Sequence, residues 1–448
     1  MLRNLSKVRK AGVIAAVAAS LLGATLMATP SLASTATKHT PVLKPDNANP
    51  GAARLAGWKG KTINYLYFTD GPDEKYTRDL VAQFTQQTGI NVNLQIIPFA
   101  NLDSTLAARL AAGNPPDLAR VASPQLYVND ALNLDQYFGA NYRKEFLPGS
   151  YTAVLDKNGG LFGVPSDLTM NGPLINVDLF KKAGVPLPST TKPWTWTEML
   201  AAAKKVQAAT KTDYAFAIDK SGHRLSTVLS QYGTSLIGAG GTNGLDVAKA
   251  TKALQPLVDM YVADQAPKDL WLGSGAKYAA PLDIFYAQQV PVYLSGNWQV
   301  AALAANAKFN WAAAPNPCDV ACGGYPGGKF EIAFKKSANP VIAAYFLNWL
   351  NKPAEQNYMD QGSFWMPTRV DLANAGIKYP SNAADMNVFI ADSARTPDLA
   401  YAKDAQGAAF SNAANALRDG LTSVIAGKTT LTAMLTDLKT KIDGWIVK

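Results

Sequence analysis

The sequence predicts an α/β fold built on an open sheet, and three adjacent segments carry that prediction. The aromatic and apolar run 63–68 has the composition of a buried strand. From Asp73, apolar residues recur on one helix face until Gly89, and residues 90–96 then alternate between apolar and polar. Strand, helix and strand in such a short stretch form a βαβ unit, so we expect the two strands to be parallel.

The elements that follow continue this alternation. A second helix carries Leu102, Leu106 and Leu110, ends at Gly113 and leads to a predicted strand at 117–121. Ligands of open α/β sheets bind at the carboxyl ends of the strands. Residues directly after each predicted strand are therefore the first candidates for a binding site.

Later helices are predicted mainly from the signals at their starts. Thr195 and Glu198 have the spacing of a capping box, and Asn339-Pro340 has that of a cap followed by a first-turn proline. The glycine-rich stretch 238–244 lacks the spacing of a nucleotide-binding loop and is predicted to be a turn. Near the end, leucines recur at helical spacing in 431–445, which favours a helix packed on a lobe over a coiled-coil seam.

The N-terminus has the pattern of a Sec-type export signal. A basic stretch precedes the apolar run 11–28, and Ser31 and Ala33 are the small residues expected before a cleavage site after Ala33. An uncleaved anchor is the alternative. Four of the nine excess positive charges lie in the first ten residues, and no basic run is interleaved with aromatics, so nucleic-acid binding is not expected. Residues 34–57 are rich in Thr, Ala, Pro and Asn and are predicted to be a flexible linker.

Few residues are suited to catalysis or to metal binding. The chain has two histidines, His39 in the predicted linker and His223. A histidine-based triad or metal site in the folded part would therefore have only His223 available. Cys318 and Cys322 are the only cysteines, and in an exported protein we expect them to form a local disulfide, with two free thiols as the alternative. No metal or cofactor is expected. The composition does not exclude a pair of catalytic carboxylates like that of a glycosidase, because aspartates are plentiful.

Aromatic residues beside small polar residues indicate carbohydrate binding. Trp298 follows the apolar run 290–294, and Phe364 and Trp365 lie in the segment 362–367. A sugar presents apolar C–H faces and a rim of hydroxyls, which suit an aromatic plane and polar side chains respectively.

Several segments, in their shared order, resemble extracellular solute-binding proteins of family 1, which serve sugar importers and include maltose-binding protein. They are 84–92, 110–117, 161–165 with its Gly-Val-Pro turn, 176–185 with 194–198, the Gly-x-Trp at 296–298, 334–356 and the Pro-Thr-Arg turn at 366–369.

The resemblance implies two lobes of the periplasmic-binding-protein type (class II), joined by a hinge that the chain crosses three times. The crossings are expected near Pro165, near Pro315 and in 361–367. The domains implied are a signal peptide (1–33), the linker (34–57), an N-terminal lobe (58–165 and 315–362) and a C-terminal lobe (166–314 and 363–448).

The resemblance also implies a function and a set of ligand contacts. The chain would be a secreted, periplasmic or cell-surface receptor, monomeric and without enzymatic activity, that delivers a carbohydrate to the membrane permease of an ABC importer. Trp298 would stack on the sugar, Asp70 and Asp167 would accept hydroxyl hydrogen bonds, and the remaining contacts would shape the site: Thr69, Ser123, Phe364 and Trp365.

Two other functions stay open at this point. The chain could be a secreted glycoside hydrolase, or a receptor for a non-sugar solute such as a polyol or a phosphodiester. A phosphorylated ligand would require cations in the cleft, for which Arg120 and Arg224 are the candidates.

Overall fold

The computed structural model describes residues 50–446 except 325 and 397–408. The predicted signal peptide and most of the predicted linker lie outside these residues. The strands are β1 (Thr62–Tyr67), β2 (Asn91–Ile96), β3 (Leu118–Val121), β4 (Val164–Asn176), β5 (Phe216–Ile218), β6 (Val292–Gly296), β7 (Trp311–Ala313) and β8 (Pro326–Ala333).

Helices lie between most of the strands and follow the last one. They are α1 (Ala52–Trp58), α2 (Asp73–Thr88), α3 (Leu102–Ala111), α4 (Asp135–Phe138), α5 (Pro148–Tyr151), α6 (Val177–Ala183), α7 (Trp196–Thr210), α8 (Gly222–Gln231), α9 (Val247–Val262), α10 (Lys268–Leu272), α11 (Pro281–Tyr286), α12 (Val300–Asn306), α13 (Pro340–Leu350), α14 (Pro353–Ser363), α15 (Val370–Ala375), α16 (Ala383–Arg395), α17 (Phe410–Ile425) and α18 (Leu431–Ile446).

The strands follow the order β2-β1-β3-β8-β4-β6-β5, with β7 also paired to β4. The predicted βαβ unit is confirmed, because β1 pairs in parallel with both β2 and β3. β8 and β4 are antiparallel to their neighbours. The first part of β4 pairs with β8 and its last part with β6, so this one strand belongs to both halves of the molecule.

The buried apolar residues form two lobes around separate cores. The first core takes residues between Ile63 and Val164 and again between Phe330 and Trp365. The second lies beyond β4 and has a layer on each face of its strands. Successive β4 residues show this: Leu174 packs into one layer and Ile175 into the other. Helices cover both layers, as expected for an α/β fold. The precise lobe boundaries stay predictions.

Three local expectations differ from the structure. Helix α1 begins at Ala52, inside the predicted linker, because Leu55 and Trp58 pack against the first core. No strand was predicted after the Gly-Val-Pro turn, but the 13-residue strand β4 lies there and is buried throughout. Asn339 precedes α13 without capping it, since its side-chain amide donates to the Thr62 carbonyl instead.

Other expectations are confirmed. The capping box of α7 is present, with Glu198 accepting from the Thr195 backbone at 2.8 Å. Residues 238–244 form a turn around a short 3₁₀ segment. Helix α18 buries its leucine face in the second core rather than leaving it as a seam. Cys318 and Cys322 are joined by a disulfide. Among the described residues, no helix combines the length and the apolar character that crossing a bilayer requires.

Candidate functional site

The first wall of the candidate site follows β1 and contains Thr69, Asp70 and Gly71. The Asp70 carboxylate lies 2.8 Å from the Lys329 ammonium, and both side chains are mostly buried. Burial alone would raise the pKa of the Asp70 carboxyl, but Lys329, with help from Arg120 and Arg224, outweighs burial and lowers the pKa. Asp70 is therefore an ionised, paired carboxylate at the end of its strand.

Ser123 lies where the two lobes touch. It follows β3, and its hydroxyl is 3.0 Å from that of Ser411, which is in α17 of the second lobe. Ser123 thus follows a strand, as predicted, and its hydroxyl has a protein partner in this conformation; its contact with a ligand stays a prediction.

The second wall is organised around Asp219, which follows β5. Its carboxylate accepts hydrogen bonds from the Tyr293 and Ser295 hydroxyls, each at 2.6 Å. Arg224 of α8 adds a longer bond to the same carboxylate, at 3.3 Å. Sequence reasoning did not single out Asp219. Its place directly after the apolar run Phe216–Ile218 was an available signal.

Trp298 lies on this second wall, directly after β6. A side chain at Gly296 would collide with it, because a Cβ there would come within 2.1 Å of the indole Cζ3. The glycine of the Gly-x-Trp motif therefore lets the ring fold back over the strand. The ring is also covered by Arg224, whose guanidinium carbon is 4.1 Å from the ring centroid. Trp298 is half-buried.

The two walls are close together at Gly71. A Cβ at Gly71 would lie 3.6 Å from the Trp298 carbonyl oxygen. Gly71 also has a φ of +110°, in the left-handed region that favours glycine. The loop after β1 can thus approach Trp298 because this position carries no side chain. The structure therefore brings the loop that carries Thr69 and Asp70 close to Trp298, whereas Ser123 is placed by its contact with Ser411 of α17.

Charges in the cleft are balanced in pairs. Lys329 is matched by Asp70, and Arg224 by Asp219. His223 next to Arg224 adds no charge at neutral pH, because burial, together with Arg224 and Lys329, lowers the pKa of its imidazole to about 3. No group of three or more His, Cys, Asp or Glu side chains in the described part of the chain could hold a metal ion.

Asp167 and Trp365, two other predicted contacts, belong to a buried cluster around Arg120. The Asp167 carboxylate has no exposed surface and accepts from the Arg120 guanidinium at 3.0 Å. Trp365 packs under the same guanidinium, at 4.6 Å from the ring centroid. Both residues therefore lie behind the cleft wall in this conformation. Contact of either residue with a ligand stays a prediction. In the structure, both contact the Arg120 guanidinium.

Phe364 lies beside this cluster and is also buried. Its ring stacks on Tyr379 with centroids 5.8 Å apart, and its carbonyl accepts from the Asn297 amide at 2.9 Å. Asn297 immediately precedes Trp298, so Phe364 helps to hold the backbone that presents the indole. Its contact with a ligand stays a prediction.

A small cavity lies inside the first lobe, next to the Arg120 cluster. It has a volume of about 20 Å³, and its lining includes Tyr65, Ser166, Glu331 and Trp365. This space suits one water molecule rather than a sugar ring. The cleft between Asp70 and Trp298 is therefore the better candidate for the binding site.

Comparison with known proteins agrees with this architecture. The family described as bacterial extracellular solute-binding protein matches residues 69–357, well over half of the chain. A binding protein of Brucella abortus (strain 2308) is 26% identical over 387 residues, which cover 81% of this chain and 87% of that protein.

Two solved structures have the same fold. The ABC substrate-binding protein Lmo0181 of Listeria monocytogenes, in complex with cycloalternan, has a TM-score of 0.75 at 20% identity, over 86% of this chain and 99% of that one. Maltose-bound MalE3 of T. maritima has a TM-score of 0.74 at 18% identity, over 86% and 100%. The two-lobe fold is thus that of ABC substrate-binding proteins, and this chain belongs to the bacterial extracellular solute-binding protein family.

Proposed function

We propose that this chain captures a neutral carbohydrate between its lobes and delivers it unchanged to the membrane permease of an ABC importer. The observation that carries the proposal is the half-buried indole of Trp298 in a cleft whose charges are paired. An aromatic plane suits the C–H face of a sugar, and paired carboxylates and cations can each exchange hydrogen bonds with hydroxyls. The solved relatives with cycloalternan and maltose bound support the same ligand class.

An anionic ligand fits this cleft less well. Lys329 and Arg224 each already face a carboxylate, so the walls provide no excess positive charge to hold a phosphate or a phosphodiester. A neutral polyol remains compatible with the charges, although it lacks the flat face that an indole stacks on.

Hydrolysis of the ligand is not supported by the carboxylates of the cleft. A glycosidase needs one protonated acid and a second carboxylate free to act as base or nucleophile. Asp70 has a lowered pKa and is paired with Lys329, and Asp219 accepts three hydrogen bonds. Neither is arranged as a general acid.

Export and assembly complete the proposal. A Sec-type signal would place the chain outside the cytoplasm, where the Cys318–Cys322 disulfide is stable. The chain would act as a monomer whose lobes close on the ligand by a hinge motion, since a ligand that touches both walls favours the closed state.

Calorimetry with a panel of neutral mono- and oligosaccharides tests this function. We expect at least one ligand with a Kd on the order of micromolar. Trp298→Ala should weaken binding at least about tenfold, because stacking is lost. Trp445→Ala, which alters a half-buried indole on α18, is the matched control and should bind normally.

Three results would count against the proposal. Normal binding by Trp298→Ala would move the site elsewhere. Tight binding of phosphorylated compounds, with no response to neutral saccharides, would refute the ligand class. Cleavage of the bound saccharide during long incubation would favour a hydrolase.

A further inference from the structure

Arg224 has an unusual place in the cleft for a paired cation. The central carbon of its guanidinium lies over the Trp298 ring, 4.1 Å from the ring centroid. Cζ3 and Cη2 of the same indole are close to Gly296 of β6, where no side chain would fit. The ring is thus held against the strand and covered by the guanidinium.

The guanidinium that covers the ring is also close to the charges of the first wall. Asp70, on the opposite wall, is near enough to Arg224 for the cation to contribute to its lowered pKa. The guanidinium therefore lies over the indole and within electrostatic range of Asp70. A sugar ring that stacks on this face of Trp298 must enter the space that the guanidinium fills.

The Arg224 guanidinium is also incompletely hydrogen-bonded. Its one bond to Asp219 is 3.3 Å long, and its Nε has no hydrogen-bond partner among the described residues. Asp219 keeps two bonds of 2.6 Å, from Tyr293 and Ser295, if Arg224 leaves. Moving the guanidinium therefore breaks its contact with the indole and one long bond to Asp219, and leaves the two short bonds of Asp219 in place.

We propose that Arg224 is a displaceable cover on the stacking face of Trp298, and that the sugar ring takes the place of its guanidinium on binding. The proposal deepens and rests on the carbohydrate-binding function proposed above. It makes Arg224 a specificity-determining residue, because only a ligand with a flat apolar face can replace a planar cation on an indole. The displaced guanidinium stays in the cleft, where it can turn towards Asp70.

The cover can be tested without any ligand by acrylamide quenching of tryptophan fluorescence. Arg224→Ala should increase quenching, because the indole face becomes accessible. The chain has nine tryptophans, so the increase must be assigned. It should vanish when Arg224→Ala is combined with Trp298→Phe. Arg224→Lys, which keeps the charge and loses the planar group, should also increase quenching and serves if the alanine variant does not fold. Unchanged quenching in both variants would overturn the proposal.

Calorimetry with the saccharide that binds the unmodified protein tests the displacement. Arg224→Ala should bind about two- to fivefold more tightly, because no cation–π contact has to be broken. A loss of binding as large as that of Trp298→Ala would overturn the displacement and make Arg224 a direct contact or a support of the ring. If Trp298→Ala itself binds normally, the proposed site fails instead, and the two failures are distinguishable.

Discussion

At the scale of single residues, the least predictable group is the buried cluster around Arg120. The guanidinium has no exposed surface, donates to the Phe68 carbonyl and to Asp167, and lies over the ring of Trp365. The sequence predicts Asp167 as a ligand contact by its place after the Gly-Val-Pro turn. The pairing of β4 with β8 is irregular between Pro165 and Asp167. Because a shift of one residue moves a side chain to the other face of a strand, the direction of the Asp167 side chain was not predictable from its position.

Removal of the Arg120 charge should strongly destabilise the fold. Arg120→Met would leave the Asp167 carboxylate buried without its cation, at a cost of about 3–5 kcal/mol. Urea denaturation measures this. Arg78→Ala is the matched control, since it breaks the exposed i,i+4 pair with Glu74 and should cost less than about 0.5 kcal/mol. Equal losses of stability in the two variants would show that the buried Arg120–Asp167 pair stabilises the fold no more than an exposed pair does.

Glu331 should make the stability depend on pH. Burial raises the pKa of this carboxyl from 4.5 to about 7, against the opposing hydrogen bond from Asn351 and the charge of Arg120. The folded state thus binds the proton more tightly than the unfolded state does. The free energy of unfolding therefore falls as the pH rises from 4.5 to about 7.

Glu331→Gln should remove this dependence. The variant should be close to the unmodified protein below pH 4.5 and more stable above pH 7, by up to about 3 kcal/mol. Denaturation at pH 4 and pH 8 measures the difference. The exposed Glu74→Gln is the control and should show no such gain. A gain that is the same at both pH values would contradict an ionisation origin.

At the scale of elements, prediction from sequence succeeds where the signal is local. The βαβ unit from β1 to β2 follows from periodicity and from Gly89, whose φ of +71° ends α2. The start of α7 follows from its capping box. Strand β8 was not predicted, because the partners that define it, β3 and β4, are distant in sequence. For the same reason Lys329, which lies on β8, was not foreseen beside Asp70.

The capping box gives a direct test at this scale. Thr195→Ala removes the hydroxyl that accepts from the Glu198 backbone amide, and should lower stability by about 1 kcal/mol. Thr197→Ala, at an exposed position two residues further along, is the control and should change stability little. A thermal or chemical melt distinguishes the two. If both variants melt alike, the cap does not stabilise α7.

At the scale of the whole molecule, the two-lobe architecture was predictable from the order of the family segments, whereas the site was predictable only in part. Asp70 and Trp298 do follow strands, as predicted, and their contact with a ligand stays a prediction. The pairing of charges was not predictable, because it joins side chains from distant segments, as in the contact of Asp70 with Lys329. That pairing is what favours a neutral ligand.

Native mass spectrometry of the protein, after incubation with a mixture of neutral and phosphorylated saccharides, tests the central proposal most directly. We expect one neutral saccharide per chain, recovered with its original mass, and no such adduct on Trp298→Ala. An adduct formed only by phosphorylated compounds, or the release of shortened saccharides, would contradict capture of an unaltered neutral sugar in this cleft.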